Sequence, residues 1–198
     1  SEHLTDLPMK TPYLPAGIIL IRRGQKFLLD IEPQDVVIPY RVIRNPIDFS
    51  RFGAMPEVEK TFACVMLSEF DDMKAELAEE VQKRCGGEVL LVGPWRSELP
   101  VPEHCTHEQP TLDVRQAYAR ARMVFSYRLS RQYAEGIYCG LPVLVRGKLE
   151  PELVTRHDWV DDWTVHDVNA ESKALAFEFN AELVAQQVVA FAKEVLAR

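Results

Sequence analysis

The sequence predicts an α/β protein built on an open parallel sheet flanked by helices, with a β-hairpin extension at its N-terminus. Short, nearly continuous apolar runs recur through the later part of the chain, in "ACVML", "EVLLVG", "MVFS" and "LPVLV". This is how strands buried on both faces read. Helical stretches separate the runs, and strand–helix–strand order implies right-handed crossover units. The composition is globular, 47% apolar and 27% charged over 198 residues, which suits one generous domain or a domain with an appendage.

The first residues carry Pro8, Pro12 and Pro15 and are expected to be irregular or extended. "AGIILIRRGQKFLLDI" places two apolar runs around "RRGQK", a hairpin with Gly24 in the turn. "DVVIPYRVI" reads as a further strand and "RNPIDFSRF" as a turn-rich connector, because Pro39 and Pro46 oppose a long regular element. These pieces form an N-terminal segment, residues 1–55, before a layered domain at residues 56–198.

In that domain "KTFACVML" is the first buried strand. "SEFDDMKAELAEEVQKRC" follows as a helix with acids early, bases late, and Met73, Leu77 and Val81 on one face. Ser68 is its expected N-cap, and Gly86 and Gly87 end it. "EVLLVG" is the second strand, and "PWRSELPVPEHCTHEQPT" a Pro-rich polar loop. "LDVRQAYARAR" gives a short amphipathic helix, "MVFS" a third strand, "SRQYAEGIYCG" a helix and "LPVLV" a fourth strand. "EPELVTRH" adds a helical turn, "DWVDDWTVHDV" carries no clear pattern, and "NAELVAQQVVAFAKEVLAR" closes the chain as an amphipathic helix. The alternation makes the predicted fold Rossmann-like.

A net charge of −7 and a pI near 5.3 oppose general nucleic-acid binding, which calls for a basic face. No apolar run reaches the roughly 20 residues of a membrane span, and "SEHLTDLPMK" lacks signal architecture. A cytoplasmic protein is expected. The four cysteines, Cys64, Cys85, Cys105 and Cys139, are scattered with no CxxC spacing, so neither disulfides nor zinc are expected. His104, Cys105 and His107 cluster in a Pro-flanked loop without a second set of ligands, and no metal or cofactor is assigned.

Ligands of open α/β sheets bind beyond the carboxyl ends of the strands. Three loops meet that condition: "SEFDD", "GPWRSE" and "SYRLSRQ". The last delivers Ser126, Tyr127 and Arg128, with Ser130 placed to cap the next helix and Arg131 beside it. Such a helix start is an anion site or a capped surface helix with two solvated arginines, and spacing alone leaves both open. Glu135 lies a little over one turn further on, as a ribose ligand with two acceptor oxygens or an exposed helix acid. Gly136 and Gly140 flank the helix end and permit close backbone approach.

"EGIYCGLPVLV" resembles the donor-binding segment in the C-terminal domain of GT-B fold glycosyltransferases. "LDVRQAYARARMVFSYRLS" is similar to that family's preceding helix and strand, and "VIRNPIDFSRF" to its interdomain segment at Asn45, Asp48 and Phe52. The resemblance spans roughly residues 40 to 198. It implies that Glu135 binds the ribose of a nucleotide sugar, that Gly140 and Pro142 form the turn after it, and that Ser68 and Lys74 lie on the diphosphate side. Two positions depart from the pattern. Tyr127 stands where many members carry a second glutamate, and Glu69 where an arginine grips the diphosphate; Arg128 and Arg131 are the available substitutes. Only about 40 to 60 residues precede this unit, so the hairpin, a partner chain or a homo-oligomer is expected to supply the acceptor side.

The resemblance therefore implies a glycosyltransferase-like protein that takes a nucleotide-sugar donor as substrate. No general base is assigned, since His104, His107, His157 and His166 recommend themselves only by titrating near neutrality. One alternative is a non-catalytic, degenerate glycosyltransferase-like interaction module, with Trp95, Trp159 and Trp163 facing a partner. Another is a nucleoside deoxyribosyltransferase-type enzyme. The five positions between Glu135 and Gly140 disfavour it, because that family places more residues between its glutamate and the turn.

Overall fold

The computed structural model describes residues 18–20, 40–52, 55–111, 113–147 and 162–197. Its strands are β1 (Ile18–Leu20), β2 (Tyr40–Val42), β3 (Cys64–Leu67), β4 (Val89–Val92), β5 (Cys105–Glu108), β6 (Val124–Tyr127), β7 (Val143–Arg146) and β8 (Trp163–His166). Its α-helices are α1 (Asp72–Cys85), α2 (Arg115–Ala119), α3 (Arg131–Tyr138), α4 (Ala170–Phe177) and α5 (Ala181–Leu196), with a 3-10 turn at Phe49–Phe52. They fall into two compact units. One gathers the described residues up to Ile47 with those from Glu178 onward, and the other holds those between Asp48 and Phe177.

In the first unit β1 pairs in parallel with β2. The expected hairpin turn at Gly24 and its returning arm lie outside the described residues. The same unit holds α5. Asn180 caps this helix, its side chain accepting from the N–H groups of Glu182 and Leu183. Ile47 is bonded on both sides of that cap, donating to the Phe179 carbonyl at 2.7 Å and accepting from Ala181 N–H at 3.1 Å. Arg44 pairs with Glu178 at 3.2 Å.

The second unit carries a six-stranded sheet in the order β5-β4-β3-β6-β7-β8. All neighbours are parallel except β7 and β8. The strand order reverses between β3 and β6, the switch point of a Rossmann-like sheet. The four central strands are the apolar runs of the sequence, and every residue of β4 is buried. On one face α1 packs Leu77, Ala78 and Val81 against Cys64, Met66, Leu91, Phe125 and Leu144. Each large apolar side chain buried there contributes about 1.5–3 kcal/mol. On the other face lies α3, where a Cβ on Gly136 would come within 3.0 Å of Val124 and Val143.

Several local expectations change. The N-cap of α1 is Asp71, whose carboxylate accepts from Lys74 N–H, while Ser68 donates its hydroxyl to the Glu69 carbonyl. Met73 is not on the buried face but 64% exposed, its place taken by Ala75 and Ala78. The supposed polar loop contains β5, an edge strand half-buried along its length. "DWVDDWTVHDV" contains the antiparallel edge strand β8, and α4 has no counterpart in the sequence reading. Among the described residues no helix is long and apolar enough to cross a membrane.

Candidate functional site

The crevice at the switch point is framed by two corners, β3 into α1 and β6 into α3. At the second, the chain leaves β6 through Arg128, which adopts the left-handed conformation at φ 51°. A non-glycine residue there carries a cost of roughly 1–2 kcal/mol, so the surroundings must hold it. The Ser126 hydroxyl, buried in the sheet, donates to the Arg128 carbonyl at 3.1 Å, and the Arg128 N–H donates to the Arg146 carbonyl at 3.1 Å. Ser126 is thus a positioning residue under the corner.

Ser130 occupies the N-cap position of α3 in extended conformation, as the sequence suggested, but makes no side-chain cap bond. Its hydroxyl lies 2.6 Å from that of Ser126 and 2.8 Å from Gln132 Oε1. Among the described residues the first-turn N–H groups of α3 have no side-chain acceptor, the condition under which a helix start receives an anion.

Glu135 is the buried carboxylate of the corner, only 3% exposed. Both its oxygens are engaged. Oε2 accepts from the Tyr118 hydroxyl of α2 at 2.7 Å, and Oε1 from Arg131 Nε at 2.6 Å. Burial pushes the Tyr118 hydroxyl well above its ordinary pKa, and the adjacent Glu135 charge adds to that rise. One turn on, burial and then the same carboxylate push the Cys139 thiol up to about 12. A buried negative charge held by one hydroxyl and one guanidinium is a strong acceptor in a low-dielectric site.

Tyr127, where the resemblance places a second acid, is half-buried with its ring edge-on to Phe125 at 5.2 Å. Burial raises its hydroxyl pKa, and neighbouring Arg146 opposes that rise. Gly136 and Gly140 are architectural. Gly136 lets α3 lie close on the sheet. Gly140, at φ 75°, ends α3 with its N–H on the Ile137 carbonyl, while Leu141 N–H reaches the Gly136 carbonyl, a Schellman cap. Both serve the helix end remote from the strand-end crevice.

At the first corner, Lys74 is occupied. Its ammonium donates to the Glu69 carbonyl at 2.8 Å. The Glu69 carboxylate pairs with Arg96 of the loop after β4 at 2.9 Å, so the acid standing in a diphosphate-binding position has a counter-ion. Asp72 accepts from Ser97 Oγ at 2.7 Å and Glu98 N–H at 2.9 Å, bonds that lower its pKa. Ser68 and Lys74 thus lie apart from the network that joins Ser126, Ser130, Arg131 and Glu135.

Sequence reasoning missed Tyr118 and Arg96. Tyr118 carried a signal, a hydroxyl-bearing aromatic on the apolar face of the predicted "LDVRQAYARAR" helix. Arg96 carried none. His107, considered as a metal ligand, bonds the Gly93 carbonyl through Nε2 at 2.7 Å. Among the described residues no group of three or more His, Cys, Asp and Glu could hold a metal ion. A cavity of about 440 Å³ lies between residues 55–60, Tyr118 and Cys139. It flanks the amino ends of β3 and β7, away from the crevice, and its rim acids Glu57 and Glu59 suit a phosphate poorly. It touches the candidate site through Tyr118.

Fold and sheet topology define an α/β protein with a glycosyltransferase-like fold. A glycosyltransferase from Rickettsia africae ESF-5 superposes with a TM-score of 0.61 at 14% identity, covering 91% of this chain and 63% of its own. Anabaena Alr3699/HepE, solved in complex with UDP and glucose, does so with a TM-score of 0.56 at 12% identity, again over 91% of this chain and 63% of its own. The chain thus spans 63% of the length of each of these neighbours. No family model matches the sequence, and no curated protein is similar to it in sequence.

Proposed function

We propose that the β6–α3 corner binds the nucleoside diphosphate portion of a nucleotide sugar, and that the protein transfers the glycosyl group to an acceptor. The observation that carries this reading is Glu135, a carboxylate 3% exposed, set one turn inside a helix whose start lacks a side-chain cap. The carboxylate meets the ribose diol, and the α3 N–H groups with Arg131 and Arg128 meet the phosphates. The UDP in the HepE complex supports the same ligand class. In transfer, an acceptor hydroxyl oxygen bonds to the anomeric carbon as that carbon's bond to the diphosphate breaks, and the hydroxyl proton passes to the leaving diphosphate. The helix start and arginines then stabilise the charge on the leaving diphosphate. A partner chain or second copy supplying the acceptor side belongs to the same proposal.

Binding without transfer is the second reading. It is favoured by Tyr127 in the place of an acid and by Lys74 being turned onto the Glu69 carbonyl.

Calorimetric titration with UDP, GDP, ADP and their sugar esters tests the site. One nucleotide is expected to bind and to raise the thermal midpoint through linkage, and Glu135→Gln is expected to weaken it at least about tenfold. Silence from every nucleotide sinks the donor-site reading. Release of nucleoside diphosphate from the bound sugar ester separates transfer from binding alone.

A further inference from the structure

Arg131 stands between solvent and Glu135. The carboxylate is 3% exposed while the Arg131 side chain is 61% exposed. The other partner, Tyr118, is fully buried in α2, so Arg131 is the solvent-facing one of the two. A ribose diol that approaches Glu135 from the solvent side of Arg131 must displace the guanidinium from Oε1. That exchange replaces a hydrogen bond charged on both sides, guanidinium to carboxylate, with one charged only at the acceptor, which is weaker. The exchange is unfavourable unless the displaced guanidinium finds a new anionic partner.

We propose that Arg131 is the specificity determinant of this site. It covers Glu135 against nucleosides and yields to nucleoside diphosphates and their sugar esters, whose phosphates take up the guanidinium as the ribose takes the carboxylate. Arg131 is the first residue of α3, so a rotation about its own side chain carries the fork from Glu135 to the helix start. Nε is its one bonded nitrogen, and the two terminal nitrogens have no hydrogen-bond partner among the described residues. Those two form the planar edge that grips a phosphate bidentately. The neighbouring corner offers no rival, since Lys74 and Arg96 are held by the Glu69 carbonyl and carboxylate. Ribose and phosphate recognition are thereby coupled through one side chain, and the coupling is reciprocal.

This inference rests on the donor-site reading above, and the test separates the two. Dissociation constants are measured calorimetrically on the full chain for the pairs uridine and UDP, guanosine and GDP, adenosine and ADP. The variants are Arg131→Gln and Arg131→Lys, with thermal midpoints read in parallel. In the wild type the diphosphate of one base binds and its nucleoside binds far more weakly. Arg131→Gln is expected to weaken the diphosphate, strengthen the nucleoside, and lower the ratio of their constants at least about tenfold. Arg131→Lys keeps a cation without the fork and gives an intermediate ratio, which also covers any loss of folding in the glutamine variant. A diphosphate that binds with its ratio unchanged in both variants overturns the role of Arg131 while leaving the donor site standing. Absence of binding by every ligand overturns both.

Discussion

Two strand-to-helix corners lie side by side at the centre of the sheet and answer the same backbone problem in opposite ways. After β3, the extended N-cap residue Asp71 turns its carboxylate onto Lys74 N–H at 2.9 Å. Glu69 and Asp72 are likewise tied down, to Arg96, Ser97 and Glu98. After β6, Ser130 sits in the same extended conformation yet turns its hydroxyl to Ser126 and Gln132. The first corner is closed by its own acids; the second leaves the start of α3 without a side-chain cap, beside an exposed arginine paired with Glu135. The residue type at a cap does not decide whether a helix start is available. What its side chain bonds does.

The closed corner should also be the more brittle. Gly93, at the end of β4, has φ 146°, and a Cβ there would stand 1.6 Å from the Ser68 carbonyl oxygen. The Ser68 carbonyl is backbone and an alanine Cβ is fixed by the main chain, so no rotamer relieves the overlap. Gly93→Ala is expected to cost about 4 kcal/mol or more, read as a collapse of the urea midpoint or loss of cooperative unfolding. A variant that unfolds at the wild-type midpoint would show that the β3–α1 corner can give way, and the contrast in rigidity would go with it.

The caps themselves give a smaller and more direct test. Asp71→Ala removes a working cap and should cost about 1 kcal/mol. Ser130→Ala removes a hydroxyl that caps nothing and should cost less than half of that. Ser130→Asp goes further, placing a carboxylate on the free N–H groups of α3. It should raise the thermal midpoint by a few degrees while abolishing nucleotide binding by occupying and repelling at the same point. Equal losses from the two alanine variants would mean that the corners are capped alike.

How far each corner was legible follows from the kind of interaction that builds it. β3, β4, β6 and β7 are buried on both faces, and burial writes itself into sequence as continuous apolar runs. β5 and β8 lie at the sheet edges, where "CTHE" and "WTVH" need no such run, and both escaped notice. The start of α3 at Ser130 and the place of Glu135 within that helix could be read from spacing and resemblance. The hydroxyl direction of Ser130 could not, because it depends on Ser126 lying beneath it across a turn. Tyr118 reaches Glu135 across 17 positions, and Arg96 meets Glu69 from another strand's loop. Pairings that the tertiary fold creates leave no local trace.

The smallest effect probes the buried charge that sets the open corner apart. Cys139 has its thiol pushed up to about 12, first by burial and then by Glu135. Cys105 is pushed up to about 11, by burial and then by Glu79 and Glu88. Alkylation follows the thiolate, so each rate climbs with pH toward its own pKa. Glu135→Gln removes a carboxylate that opposed the Cys139 thiolate, so the midpoint for Cys139 should move to lower pH. It should stop short of the ordinary thiol value because burial is unchanged. Cys105, whose neighbouring acids are Glu79 and Glu88, should not move, which makes it the internal control when both sites are followed by peptide mass spectrometry. A Cys139 profile identical in the two proteins would mean that Glu135 carries no charge at its site. The contrast between an acid-closed corner and one built around a buried anion would then rest on geometry alone.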